Sequence, residues 1–317
     1  LTEDRELQKQ IAEQAQVESN PTAASPAVRA FQFFLVPLLI VGACVLVYTV
    51  LNWVVANPRS SREWLVDIKE GGRNTRTHAA LQLVQALRRA EQPDLSLTPD
   101  IIALYKATPE EPDAEEFNLH RLLATCLGYQ RDPLASDVLV TTVSTFKNME
   151  TRTAAMDALG TIKDPRTLPD LVKLLDDPDA IVRKYAAFNA GAVAEKAGGE
   201  ARARAVEAIR KKLTDASTDV TWNAAFALAY FLGDPSGTDI LKKLLDRKYL
   251  GEKIGADRNA EALTVHALKI GCSAAGKLKD ESFIPLLKAL TDVKAERDVD
   301  VRFAAHQAIN NIQEQKK

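Results

Sequence analysis

The chain has little of what most active sites and cross-links are built from. Its three cysteines, Cys44, Cys126 and Cys272, stand far apart and form no Cys-x-x-Cys pair, which argues against a disulfide framework and against a zinc site. Aromatic residues make up only 6% of the 317 positions, while alanine is abundant. Sheets draw on β-branched and aromatic side chains, so this composition favours close-packed helices. Charge of one sign is also missing: 41 Lys and Arg balance 43 Asp and Glu, so no strong global field points to nucleic acid. There is no Gly-rich phosphate loop of Walker type and no Gly-x-Ser-x-Gly.

What is present falls into three stretches. Residues 1–29 are polar at first, Glu- and Gln-rich, and are then broken by Pro21 and Pro26. Residues 30–56, AFQFFLVPLLIVGACVLVYTVLNWVVA, carry no charge, with Phe31, Phe33 and Phe34 at one end and Tyr48 and Trp53 at the other. That pattern predicts a single transmembrane helix with aromatic interfacial anchors. Val41-Gly42-Ala43-Cys44 resembles a lipobox, but the apolar run continues well past Cys44, where a lipidated terminus would turn polar. Near the run, Arg29 faces Arg59, Arg62, Lys69, Arg73 and Arg76 on the other side. The positive-inside rule then predicts a single-pass protein of a bacterial inner membrane, the remainder in the cytoplasm; the opposite topology would make it periplasmic.

Residues 57–317 alternate between amphipathic helical stretches and short turns, with no sustained period of two. The stretch TRTAAMDALGTIKDPRTLPDLVKLLDDPDAIVRKYAAFNAG contains one full cycle: an Ala-rich helix from near Arg152, a turn at Asp164-Pro165, a Leu-rich helix, and a restart after Asp177-Pro178. Related strings are TRTHAALQLV, VTWNAAFALAYFLGD and DVRFAAHQAI. The positions equivalent to Arg152 are read as Arg76, Glu116, Arg183, Thr221, Glu261 and Arg302, at intervals of about 31 to 41 residues. Alanines let paired helices approach, and leucines fill the layer between them. The Asp-Pro pairs at 132–133, 164–165, 177–178 and 234–235 read as an N-cap acceptor followed by proline at the first helical position. The closing QEQKK suits a polar cap on the last repeat.

This pattern resembles the HEAT-repeat family, in the short form described as PBS-lyase-like HEAT repeats, from about residue 60 to residue 315. The resemblance implies an all-α protein: a right-handed α-solenoid of about seven HEAT-like helix pairs, here preceded by the transmembrane helix. Some relatives of this repeat are enzymes, so their chemistry is the test. An iron-dependent hydroxylase family on this fold uses His-Glu dyads, whereas His78, His120, His266 and His306 are followed by Ala79, Arg121, Ala267 and Gln307. Bilin lyases share the repeat, which is likeness of fold and not of site. HEAT-like DNA glycosylases need a basic groove; here Arg202/Arg204/Arg210/Lys211/Lys212 and Lys242/Lys243/Arg247/Lys248 are interleaved with acids and read as solvated faces. Asp176-Asp177-Pro178-Asp179 lacks the Gly and distal Glu of a calcium loop and reads as capping.

The expectation is therefore a protein with no catalytic, cofactor-binding or metal-binding residues and no cofactor. It would be a membrane-anchored scaffold or accessory subunit of a larger membrane complex. Its partners would be other protein subunits, and the lipid bilayer through residues 30–56, with neither nucleic acid nor a small-molecule substrate. The alternative is a membrane-tethered HEAT-type modifying enzyme or a sensor.

Overall fold

The computed structural model describes residues 8–9, 31–56, 59–109, 114–256 and 258–314. The chain divides into two compact units, Leu1–Arg59 and Ser60–Lys317. The polar tail expected over residues 1–29 lies outside the described residues, apart from 8–9. In the first unit a π-helical turn, Phe31–Leu35, leads into α1, Val36–Ala56.

The expectation of a membrane anchor over residues 30–56 is corrected here, and with it the single-pass inner-membrane localisation and the bilayer as a partner. Among the described residues no helix is long and apolar enough to cross a membrane. The uncharged run is not one regular helix, because its first residues wind as a π-turn. Absence of charge established only that the run was apolar.

The second unit is an all-helical stack of two layers, with no strand among the described residues. One layer holds the longer helices: α3 (Arg73–Arg89), α5 (Ala114–Gln130), α7 (Met149–Ile162), α9 (Ala180–Ala194), α11 (Thr218–Leu232), α14 (Ala260–Leu278) and α16 (Val299–Gln313). The other holds their shorter mates: α2 (Ser61–Glu70), α4 (Thr98–Ala107), α6 (Ser136–Thr145), α8 (Leu168–Lys173), α10 (Gly199–Lys211), α12 (Thr238–Lys243) with α13 (Arg247–Ile254), and α15 (Ile284–Thr291). Each short helix packs on the long helix that follows it, and each long helix packs on the next long helix, making units I to VII. Nearest-neighbour stacking of this kind buries what one helix pair would leave exposed.

Small residues set the distance between successive long helices. A Cβ on Gly128 would fall 3.0 Å from the Cα of Ala158, one on Gly191 would fall 2.7 Å from the Cβ of Ala227, and one on Gly276 would fall 3.1 Å from the Cα of Ala308. At Gly160 the neighbour is buried Asn189, whose Oδ1 would lie 2.0 Å away. Turns repeat as strictly. Asp94, Asp132, Asp164, Asp234 and Asp280 each accept the backbone amide two residues on and open a 3-10 turn ahead of the short helix. Asp177 differs from the expected cap: it closes the preceding turn, and Asp179 caps α9 instead.

An arginine near the start of each of several long helices ties the layers together. Nε of Arg76 donates to the carbonyl of Ile68, and Nε of Arg152 to that of Val143, each at 3.0 Å. Arg183 donates to the carbonyl of Asp177 at 2.9 Å, and Arg302 to those of Glu296 and Arg297 at 2.8 Å. These carbonyls stand at or beyond the ends of short helices, where helical partners run out. The guanidinium also reaches the next unit: Arg152 pairs with Asp177 at 3.3 Å, and Arg183 pairs bidentately with Asp215 at 2.9 Å. Further on, Arg247 holds the buried Glu296 at 2.7 and 2.8 Å and also Glu261 at 2.9 Å.

The repeat register shifts at the two divergent units. In unit II the residue that performs this carbonyl contact is His120, not Glu116: its Nε2 donates to the carbonyl of Tyr105 at 3.2 Å. In unit VI the glycine crossing and the left-handed residue Lys279 place the equivalent position at Leu268, not Glu261. One and two helical turns respectively separate the expected from the observed positions, since an amphipathic pattern looks much the same after each turn. Unit V lacks the arginine; Thr221 stands there and donates to the carbonyl of Thr218. The buried apolar side chains divide at that same unit: Ala224, Ala227 and Leu228 of α11 join one core cluster, Ala225 and Ala229 the other.

Two predictions follow from this packing. Gly191→Val drives methyl groups into Ala227 and Phe231 and is expected to lower stability by about 1–3 kcal/mol, read as an earlier midpoint in denaturant monitored by circular dichroism. Gly251→Ala, with nothing within 4 Å, is expected to leave the midpoint unchanged or later. The second concerns pH. The Arg183 guanidinium holds the Asp215 carboxyl below the usual carboxylate range, against burial and with help from the Ser217 amide. A folded-state pKa below the unfolded one contributes stability that is complete above about pH 4 and lost as pH falls through the depressed value. Arg183→Met is expected to cost about 3 kcal/mol at neutral pH, with the gap to wild type narrowing below about pH 4; a gap that stays flat into strong acid would contradict it.

Candidate functional site

Counting from the layer-tying position, the fifth residue onward lies on the open side of the long-helix layer. In units II to VII it is Thr125, Asp157, Phe188, Phe226, Ser273 and Gln307, none of them buried. The ninth is Tyr129, Thr161, Ala192, Tyr230, Lys277 and Asn311. Polar side chains at these places satisfy the fold in units III, VI and VII. Units IV and V depart from that pattern with rings.

Four rings form one cluster. Phe188 stacks on Phe226 with centroids 5.7 Å apart and planes 8° from parallel, and Phe226 stacks on Tyr230 at 4.9 Å and 14°. Phe231 stands edge-on to Phe188, Phe226 and Tyr230, at 5.3, 6.0 and 5.1 Å. All four remain half-exposed. Cations rim them: Lys163 Nζ lies 5.3 Å above the Phe231 ring and Lys277 Nζ lies 5.4 Å above the Tyr230 ring, both within cation–π range. Phe188 and Phe231 line a trough of about 810 Å³ together with Arg131, Lys163 and Lys196. Tyr230 and Lys277 line its neighbour, about 380 Å³, toward unit VII.

Charge is distributed unevenly over this face. Near the starts of the long helices, opposite charges pair from unit to unit: Arg121 with Glu150 at 4.0 Å, Lys184 with Asp219 at 3.3 Å, Lys269 with Asp300 at 3.2 Å. Near their ends, Lys163 is matched by Glu195, but Arg131, Lys196 and Lys277 have no carboxylate partner among the described residues. A cation at a helix C-terminus is favoured by the helix dipole, which accounts for part of this row. Arg131 and Lys163 also adopt left-handed backbone, φ 52° and 57°, where unit V uses Gly233. The dipole does not account for the rings. A separate hollow, lined by Arg121, Glu150 and Tyr185, carries Asp157, which accepts from Asn189 Nδ2 at 2.9 Å. Although this carboxyl meets solvent, its surroundings desolvate it and raise its pKa, against the Asn189 bond and Lys184.

Sequence reasoning named no site residue, and the groups it weighed are dispersed. The four histidines sit on α3, α5, α14 and α16. His120 is buried between Tyr105 and Phe146, ring centroids 5.0 and 5.2 Å away, and is engaged in the carbonyl contact described above. Cys126 and Cys272 are buried, and burial pushes both thiols up, Cys272 to about 12. Among the described residues no three His, Cys, Asp or Glu side chains gather where a metal ion could be held. The basic clusters are structurally engaged: Arg202 donates to the carbonyls of Ala194 and Leu232, Lys212 pairs with Asp176, Arg210 with Asp234 and Arg204 with Glu200. The rings were missed because they look like core residues. The usable signal was their register: Phe188 and Phe226 fall where the aligned repeats otherwise place Thr, Asp, Ser and Gln.

A family model described as HEAT repeats matches residues 113–191. No curated protein matches the chain. Among solved structures, the complex of CpcE and CpcF of phycocyanin lyase from Nostoc sp. PCC7120 is 18% identical, with 81% of this chain and 96% of that chain covered and a TM-score of 0.49. A designed armadillo repeat protein in complex with the peptide (KR)4 is also 18% identical, with 80% and 100% covered and a TM-score of 0.34. At that identity and those TM-scores neither likeness speaks to activity or ligand.

If the fold does not need the rings, Phe226→Thr should be tolerated. It is expected to cost about 1 kcal/mol, the share of a half-buried ring, with helical content and cooperative unfolding retained. A collapse of the far-ultraviolet signal would show the ring to be a packing residue.

Proposed function

We propose that this chain is a protein-binding scaffold, an accessory subunit that grips a partner along the open face of its long helices and catalyses nothing itself. The observation that carries this reading is the ring cluster around Phe188 and Phe226, which stand at positions where stacking alone is satisfied by polar side chains, with Tyr230 and Phe231 packed against them. Large half-exposed rings with an apolar body are what fill the centres of protein interfaces, and a cationic rim adds specificity and speeds encounter. Stacked helix pairs offer a long continuous surface of this kind. The non-catalytic part of the reading is supported by what the titratable groups already do: His120 ties two layers together, burial raises the pKa of both buried thiols, and Arg152, Arg183, Arg202, Arg210 and Arg247 serve ion pairs or helix ends.

Site-specific photo-crosslinking in the cells that make the protein tests this. A crosslinker at Phe226 is expected to give one or a few discrete protein adducts, and one at Lys211, on the opposite layer, is expected not to give them. Identical adduct patterns from the two positions, or none from Phe226, would overturn the proposal.

A further inference from the structure

Resting on that reading, we infer that the trough takes an extended segment of a partner protein in which acidic and apolar side chains alternate or cluster. Three features of the face select that chemistry.

The first is charge. Arg131, Lys196 and Lys277 line or border the trough without carboxylate partners among the described residues, while the cations Arg121, Lys184 and Lys269 elsewhere on the face are already matched. A basic segment would meet unpaired cations, and a neutral one would leave them unused; carboxylates complete them.

The second is the arrangement of the rings. Phe226 already stacks on both Phe188 and Tyr230, and Lys277 lies over the Tyr230 ring, so these rings spend stacking surface on one another and on a cation. Nucleic-acid grooves depend on free aromatic faces and a continuous cationic track. Here rings and apolar side chains such as Ile162 and Ala192 are what a ligand meets, and Glu195 interrupts the track by pairing with Lys163. Aliphatic and aromatic side chains suit that surface, whereas bases and phosphates do not.

The third is dimension. Successive packed helices stand about 8–10 Å apart, so the path from Arg131 beyond α5 to Lys277 on α14 crosses four steps. An extended chain advances about 3.3 Å per residue, which makes the matching segment roughly a dozen residues long. Its apolar side chains would seat at units IV and V and its carboxylates on either side.

Fluorescence anisotropy with the full chain and labelled 12-residue peptides tests the inference. The probes are an acidic peptide with central Leu and Phe, the same peptide with every acid replaced by lysine, the acidic peptide with its apolar residues replaced by serine, and a 12-nucleotide single strand. The acidic–apolar peptide is expected to bind at least tenfold tighter than the other three and to weaken as salt rises. Phe226→Thr, and separately Arg131→Glu with Lys196→Glu, are each expected to weaken it at least tenfold while circular dichroism is unchanged. Equal or tighter binding of the lysine peptide or of the oligonucleotide would overturn the inference, as would binding indifferent to both variants or no binding of any peptide. Self-association of the chain abolished by Phe226→Thr would assign the trough to a second copy and overturn it too. Each of these failures leaves the Phe226 crosslinking result standing, so the loss of this partner chemistry and the loss of the scaffold reading are separable.

Discussion

The stack depends on how close one long helix can come to the next. At Gly128, Gly160, Gly191 and Gly276 a single missing Cβ brings the following helix into contact at Ala158, Asn189, Ala227 and Ala308. With that spacing set, the Ala-rich flanks of α7, α9 and α11 interlock and their leucine-bearing mates close the layer behind. The same spacing brings an arginine within reach of two things at once: the last carbonyls of its own short helix and the acid of the next unit. Arg183 does both through one guanidinium. A lysine could not, because it lacks the planar fork.

The arginine is not universal: unit II has His120, unit V has Thr221 and unit VI has Leu268 in its place, and along α11 of unit V the apolar core changes membership. Unit VI then carries an added helix, α13, whose first residue, Arg247, bridges Glu261 and the buried Glu296 and so restores the tie between units VI and VII. Burying Glu296 desolvates it, which alone would raise its pKa; the Arg247 pair and the Asp298 amide outweigh that and hold it low, so it stays charged in its buried position.

Much of this was legible in sequence, and the limits have physical causes. Helical class, the two-helix unit and the register at Arg152, Arg183 and Arg302 could be read because alanine spacing, Asp turns and the arginine recur together. Glu116 and Glu261 were wrong by whole turns because periodicity repeats every turn and the marker residue there is a histidine or a leucine. The apolar run over residues 30–56 was read as a span from its lack of charge, which says nothing about regular winding: its first described residues, Phe31–Leu35, form a π-turn. The rings were invisible for a different reason. Hydrophobicity cannot tell a core phenylalanine from one on an open face until the repeats are aligned, and the alignment was secure only in units III to V.

The ring cluster bridges units IV and V, and Lys277 extends it to unit VI. Phe188 lies on α9 and Phe226, Tyr230 and Phe231 on α11, while Lys277 reaches Tyr230 from α14, across the division of the core. In a repeat array each interface contributes almost independently. A segment lying along the trough would touch α9, α11 and α14 together, so its binding would favour the setting of these three helices that seats it best.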